Sequence, residues 1–452
     1  MIVCDTPTAA NPRMTLSRLS IVLLALALAP AGPAASAPRV PQGEDTVIER
    51  LPIRATDPLA RELRGLREEV VRDPNKVEAA VRLARRYFDL ASAEGDPRYV
   101  GYAEAVIRPW VARPVSDPSI LLVRALLRQY RHDFAAAMTD LDAVIRQQPT
   151  NTEAMLWQFA LHLVQADYPA ARASCEQAAA HATPLSATAC RAVVDSINGK
   201  SRQAYAALSA ALVRDPTRDL EYRQWALTRL AEMALRLGDR RLSERHFREA
   251  IATGIRDGFV LAAYADLLLE EQRQAEVITL LKNHVASDIL LLRLAIAEDR
   301  IGAPAAAQLR KTLADRFAAS ALRGDALHQQ EEARFELELR RDAVKSLAKA
   351  AENWKHQREP RDALILMESA RAAGRPDAAK AALDWMAATG YEDPRYRTLA
   401  TALRESAAGA TGSGRAEASP KAGSTRGAAA GVTGDASAGT TPGAPPAAKA
   451  GR

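Results

Sequence analysis

From about residue 58 to about residue 405, apolar side chains return at intervals of three and four, the period of an amphipathic helix, and no stretch alternates apolar and polar positions long enough to form a sheet. Small residues punctuate this pattern. Ala125, Ala192 and Ala231 occupy one point in alternate predicted helices, and Ala137, Ala171 and Ala204 occupy the matching point in the helices between them. Two helices approach to roughly 8–10 Å only where side chains are small, so an alanine recurring once per helix predicts paired, antiparallel helices. The starts of the second helices also repeat: Asp133-Phe134 and Asp167-Tyr168 lie 34 residues apart. Asp-Pro steps at 57–58, 73–74, 96–97, 117–118, 215–216 and 393–394 mark further breaks. Aspartate caps orphan amides there, and proline suits a first turn that has no use for its missing N–H.

With Gly199, Leu208, Ala211 and Pro216 at nearly the same offsets, and Gly238-Asp239, Phe247 and Ala250 after them, the period of 34 resembles the tetratricopeptide repeat. Pro149 and Pro216 match the proline that closes a unit. The resemblance implies an all-α fold, a right-handed α-solenoid of stacked antiparallel helix pairs, over residues 58–405. It is densest from Ser119 to Ala250. After Asp257 the units lose register, and the pattern returns through Ala333, Ala343, Ala350, Trp354, Ala370, Gly374, Ala379 and Trp385. The closing blocks look like those of exported bacterial tetratricopeptide proteins.

The ends of the chain change this picture in two ways. Arg13 and Arg18 precede the apolar run Ile21 to Ala29, and Ala35-Ser36-Ala37 has the form of a cleavage site, so residues 1–37 are expected to be a cleavable signal peptide and residues 38–57 a linker. The run is too short to span a bilayer, which needs roughly 20 apolar residues. Residues 406–452 are mostly Ala, Gly, Ser, Thr and Pro, with no aromatic residue and almost no branched aliphatic, and are expected to be a disordered tail. The mature protein should therefore be periplasmic or secreted, with no integral membrane segment. Its formal charge of +6 comes largely from the ends, since the body carries 54 basic and 52 acidic residues. A balanced body with no Lys/Arg cluster argues against a nucleic-acid ligand.

Candidate chemistry is sparse. The seven histidines, at 132, 162, 181, 246, 284, 328 and 356, form no HExxH and no zinc spacing, and there is no GxSxG, phosphate-binding glycine loop or GxGxxG. His328 with Glu331 and Glu332 reads as a solvated helix face. No catalytic residue, metal site or cofactor is expected, and the protein is not expected to be an enzyme. Trp354 and Trp385, with alanines four residues away, read as core. Trp157 and Trp225 read as contact surface.

In a tetratricopeptide array the first helices of the pairs line a concave groove, and the resemblance places there Leu122, Arg128, Gln129, Trp157, Gln158, His162, Gln165, Trp225, Arg229 and Glu232. Leu122 and Leu126 stand where a carboxylate clamp would need polar residues, so a mixed groove for an extended protein or peptide partner is expected. The function this implies is an exported protein–protein interaction scaffold assisting assembly or maintenance of an envelope or secretion complex. The alternative is a cell-wall or glycan-associated helical-repeat protein, with or without cryptic hydrolase activity. The same register makes Cys175 and Cys190 neighbours, and in an oxidising compartment they should form a disulfide.

Overall fold

The computed structural model describes residues 56–111, 117–215, 219–322 and 329–413. The expected signal peptide, most of the linker, Pro216, His328 and the tail beyond Ser413 lie outside the described residues. The chain divides into two units, residues 1–61 and 62–452. The described part of the first holds the start of helix α1 (Pro58–Arg72), and the remaining helices belong to the second.

Nine helix pairs come after α1 among the described residues. Their first members are α2 (Val77–Glu94), α4 (Pro118–Tyr130), α6 (Thr152–Val164), α8 (Pro184–Ile197), α10 (Leu220–Arg236), α12 (Gly258–Glu270), α14 (Asp288–Arg300), α16 (Gln329–Glu338) and α18 (Pro360–Ala372). Their second members are α3 (Arg98–Val111), α5 (Phe134–Gln147), α7 (Tyr168–Ala179), α9 (Ser201–Arg214), α11 (Arg240–Ile251), α13 (Gln274–Leu281), α15 (Ala306–Leu322), α17 (Ala343–His356) and α19 (Lys380–Thr389), the last entered through a short 3-10 turn. Helix α20 (Pro394–Ser413) closes the array and continues past residue 405. Each helix packs on its pair-mate, and most second helices pack on the first helix of the next pair. The result is, among the described residues, an all-α solenoid of antiparallel helix pairs.

Local chemistry explains the repetition. The alanines at 125, 137, 171, 192, 204 and 231 are all buried, so each pair closes on a small residue. Between the helices the chain passes through a left-handed residue: His132, Ala166, Gly199, Gly238, Gln272, Gly302, Arg341 and Gly374 all have positive φ. The next helix is then capped, with Asp133, Asp167, Asp239 and Asp342 accepting from backbone amides three residues on. Because this turn is shared, the pairs after Asp257 keep the architecture even though their sequence register drifts. Cys175 of α7 and Cys190 of α8 are joined by a disulfide, with Cα atoms 5.9 Å apart.

In an ideal solenoid each unit touches only its neighbours. This one does not stay so simple. Arg85 of α2 grips Glu153 of α6 through two bonds of 2.8 and 3.0 Å, and Phe88 meets Trp157 edge-on at 6.1 Å. Helix α2 also reaches α12, five pairs away. At its C-terminus Gly95 sits at φ 65°, and a Cβ there would fall 2.5 Å from Ser287 Oγ at the start of α14. The first helices thus face each other across the axis of the array and bury their inner sides together. One continuous apolar core runs from Met155 to Leu403.

Candidate functional site

Two features of the interior define the candidate site: a strip of C-terminal chain laid across the turns, and a charged cavity beneath it. The strip follows the pairs in order. Gln357 meets His132 (Nε2 to Nε2, 2.9 Å) at the turn of the α4–α5 pair. The Arg358 amide donates to the Val164 carbonyl at 2.8 Å, and Trp385 Nε1 donates to the Tyr168 hydroxyl at 2.8 Å, both at the α6–α7 turn. At the α8–α9 turn the Ser201 amide donates to Glu392 at 2.9 Å. There Gly199, at φ 74°, lies so close to the Gly390 carbonyl that a Cβ would come within 3.1 Å of it. At the α10–α11 turn Arg236 donates to Tyr391 at 3.2 Å and to Ser196 at 2.6 Å. Finally Arg395 pairs with Glu270 at the end of α12.

Beneath this strip lies a cavity of about 320 Å3, lined mainly by the first helices α6 to α18. Seven arginines (229, 236, 293, 300, 334, 361 and 395) and six carboxylates (Glu232, Asp266, Glu270, Glu338, Glu359 and Glu368) line it. Most are matched in pairs. Asp266 receives Arg293 at 2.8 Å and Arg334 at 2.5 Å, and Glu338 receives Arg334 at 2.8 Å and Arg300 at 2.6 Å. Burial works against the Asp266 charge, yet Arg293 and Arg334 outweigh it and hold the carboxyl down to about 2.

Glu368 is the contrasting case. Burial pushes its carboxyl up to about 7, with Arg334 pulling it down and Glu338 and Glu270 pushing it further up. A raised folded value means that the native state holds the extra proton between the unfolded value, near 4.5, and about 7, so stability falls as pH rises through that window. Glu368→Gln removes this loss. The difference in melting temperature between variant and wild type should grow in the variant's favour from about pH 5 to about pH 7.5, measured in the same buffers. A difference independent of pH would contradict the assignment.

The groove residues expected from the sequence are corrected here. Leu122, Gln129, Trp157, Gln158, Trp225 and Arg229 are buried rather than displayed. The reason is the closing of first helices onto one another: Trp157 packs on Phe88 of α2, and Arg229 stacks on Trp225 and on Phe259 of α12. Arg128 turns to its own pair-mate, bonding Asp140 at 2.6 Å, and Gln158 bonds Asp142 at 2.6 Å. His162 and Glu232 are half-buried and Gln165 is exposed at the end of α6. Of the ten, Arg229 and Glu232 line the cavity. The solvated-face reading of Glu331 and Glu332 is also overturned, since both are buried and Glu332 pairs with Lys349. Trp354 and Trp385 are core, as their alanine spacing indicates. Sequence reasoning missed the charged lining from Asp266 to Glu368. Its one sequence signal is an Arg or acidic residue on the otherwise apolar inner face of successive helices, as at Asp266 and Arg293.

No group of His, Cys, Asp and Glu suited to a metal ion occurs among the described residues, and no described helix is long and apolar enough to cross a membrane. No protein-family profile matches the chain, and no curated protein does. Among solved structures it is similar to a tetratricopeptide repeat protein from Parabacteroides merdae, at 14% identity and a TM-score of 0.25, covering 64% of this chain and 98% of that one. It is similar also to the P58(IPK) TPR domain, at 15% identity and a TM-score of 0.19, covering 70% and 93%. A third is the structure of Naa15/Naa10 bound to HypK-THB, at 15% identity and a TM-score of 0.27, where the match covers 79% of this chain and 58% of that one. At such scores the likeness adds nothing to the packing described above, which defines the class by itself: a helical-repeat solenoid closed on its own inner face.

Proposed function

We propose that this protein is an exported protein-interaction scaffold that helps assemble or hold an envelope or secretion complex. The observation that carries the reading is the array itself. Nine stacked helix pairs build an extended surface with no separate domain beside it among the described residues, and such arrays bind by contact spread over several units. Because most of the inner face is covered by the chain's own helices, the partner docks on the outer helices. Affinity capture from an envelope extract with the folded, disulfide-bonded chain tests this. Saturable retention of a few envelope proteins is the expected result. Retention of none, with co-sedimentation of the chain on purified peptidoglycan, contradicts it.

The disulfide between Cys175 and Cys190, 15 residues apart, agrees with export, because such bridges form mainly in oxidising compartments and are rare where thiols are kept reduced. It contributes on the order of 3 kcal/mol by restricting the unfolded chain. The secreted form should have the intact mass of a chain beginning at Pro38, and should take up no alkylating reagent when denatured without reduction and two groups after reduction. Two groups before reduction would count against both the bridge and the compartment.

A further inference from the structure

Each arginine lining the cavity beneath the C-terminal strip already has an acidic partner among the described residues. Of the six lining carboxylates, five have an arginine partner and Glu368 has none. Glu368 makes no side-chain hydrogen bond among the described residues either, and neither of its oxygens is sealed from water. Its place in the fold adds a second feature. Glu270, Arg300 and Glu338, the last residues of the first helices α12, α14 and α16, line the cavity together with Glu368, which lies one turn from the end of α18. Helix C-termini carry partial negative charge and carbonyls without helical partners, so they favour cations. The protein already holds a cation of its own in this way. Arg300 donates to the Leu269 carbonyl at the end of α12 at 2.9 Å and to Glu338 at 2.6 Å, so one helix end and one carboxylate fix it.

From this geometry we infer that the axial cavity binds a small aliphatic ammonium ion, whose charged head pairs with Glu368 among the helix ends and whose carbon chain lies against Leu364 and Ile365 on the same face of α18. A lone free carboxylate suits one ammonium head rather than a metal ion, for which no ligand group occurs among the described residues. The volume of about 320 Å3 falls at the lower end of ligand pockets, roughly 300–1,000 Å3. Glu270, Gln272 and Arg300 are exposed and mark a way in from solvent. The charged groups facing Glu368 are Arg334 and Glu338 from α16, Glu270 from α12 and Arg371 on its own helix. Arg395, at the start of α20, is taken up by Glu270 and Asp393. Burial is the largest influence on Glu368 and keeps it protonated up to about pH 7. Below that pH an arriving ammonium displaces this proton to solvent, one positive charge entering and one leaving.

The test uses the full mature, disulfide-bonded chain, titrated by isothermal calorimetry with butylammonium and hexylammonium chloride at constant ionic strength between about pH 5.5 and 8, and with 1-hexanol separately. At least one ammonium should bind saturably at one site per chain and raise the melting temperature. Its affinity should fall about tenfold per pH unit below about pH 7, with about one proton released per ligand bound near pH 6. Glu368→Gln keeps the shape of the side chain but removes the charge, and should weaken binding at least tenfold and abolish its pH dependence. The free variant should melt within a few degrees of wild type or above it, which separates loss of the site from loss of the fold. No saturable binding by either ammonium overturns the inference. So does binding that survives Glu368→Gln, or binding of 1-hexanol as tight as that of hexylammonium.

Discussion

Replacing Asp266 by alanine should destabilise the protein by about 3 kcal/mol, because it strands two arginines that the fold cannot release to water. Breaking a buried ion pair from one side costs about 3–5 kcal/mol, most of it the penalty on the charge left behind. The low end applies here because the Asp266 side chain keeps 30% of its exposure. Arg293, however, is 3% exposed and is held otherwise by the Ile289 carbonyl at 3.0 Å. Arg334 retains Glu338 as a partner, so the damage falls mainly on Arg293. Urea unfolding at about pH 7 measures the loss, and the double substitution Asp266→Ala with Arg293→Met should recover part of it. The wild-type contribution has a defined acid limit. With the folded value lowered to about 2 against an unfolded value near 3.9, it is fully present above about pH 4 and is lost as pH falls through about 2.

The second large effect is expected at Trp385, which fastens the C-terminal strip to the middle of the array. Its ring is 8% exposed, meets Trp354 edge-on at 6.2 Å and Tyr391 at 5.0 Å, and its Nε1 donates to Tyr168. Trp385→Ala removes that volume from a core that cannot refill it, at a cost of about 3–5 kcal/mol. Tyr168→Phe deletes the acceptor alone and should cost about 1 kcal/mol. A further difference separates fastening from simple core packing. In Trp385→Ala, amide exchange should accelerate in residues 354–396 and at the 132–136, 164–168 and 196–201 turns, while the α12–α15 segment stays protected. Uniform acceleration across the chain would mean that Trp385 is ordinary core.

Tyr168 also shows where sequence reasoning reached and where it stopped. The acid-aromatic pair at 167–168 reveals the period of 34, because Asp167 caps α7 in every reading of the turn. Helix pairing, the buried alanines and the neighbouring cysteines follow from the same period, since they depend on contacts between adjacent units. The phenolic oxygen of Tyr168 meets a residue 217 positions away, and no local pattern announces that. Trp157 and Trp225 fail for the same reason. Their position on first helices is legible, but whether that face is open or closed depends on how far the array curves, which is set by many small packing angles. Arg229 and Glu232 were legible as inward-facing, and the cavity they line was not. Where the register lapses after Asp257, the positive-φ turns at Gln272, Gly302 and Arg341 keep the pairs in place, a regularity of backbone rather than of side chain.

The C-terminal strip lies across the turns of the earlier pairs and covers the inner face. The most direct test is a short bismaleimide cross-link in the double variant Lys200→Cys, Glu392→Cys, since the Ser201 amide and the Glu392 carboxylate are 2.9 Å apart while 191 residues separate them in sequence. In the chain beginning at Pro38 the two remaining cysteines, Cys175 and Cys190, are bridged and do not compete. Within the monomer, the reagent should join the two introduced thiols in high yield under native conditions and fail to join them in urea, as read by mass spectrometry of the linked peptides. Two singly modified thiols with no intramolecular link in the folded protein would contradict the closed arrangement.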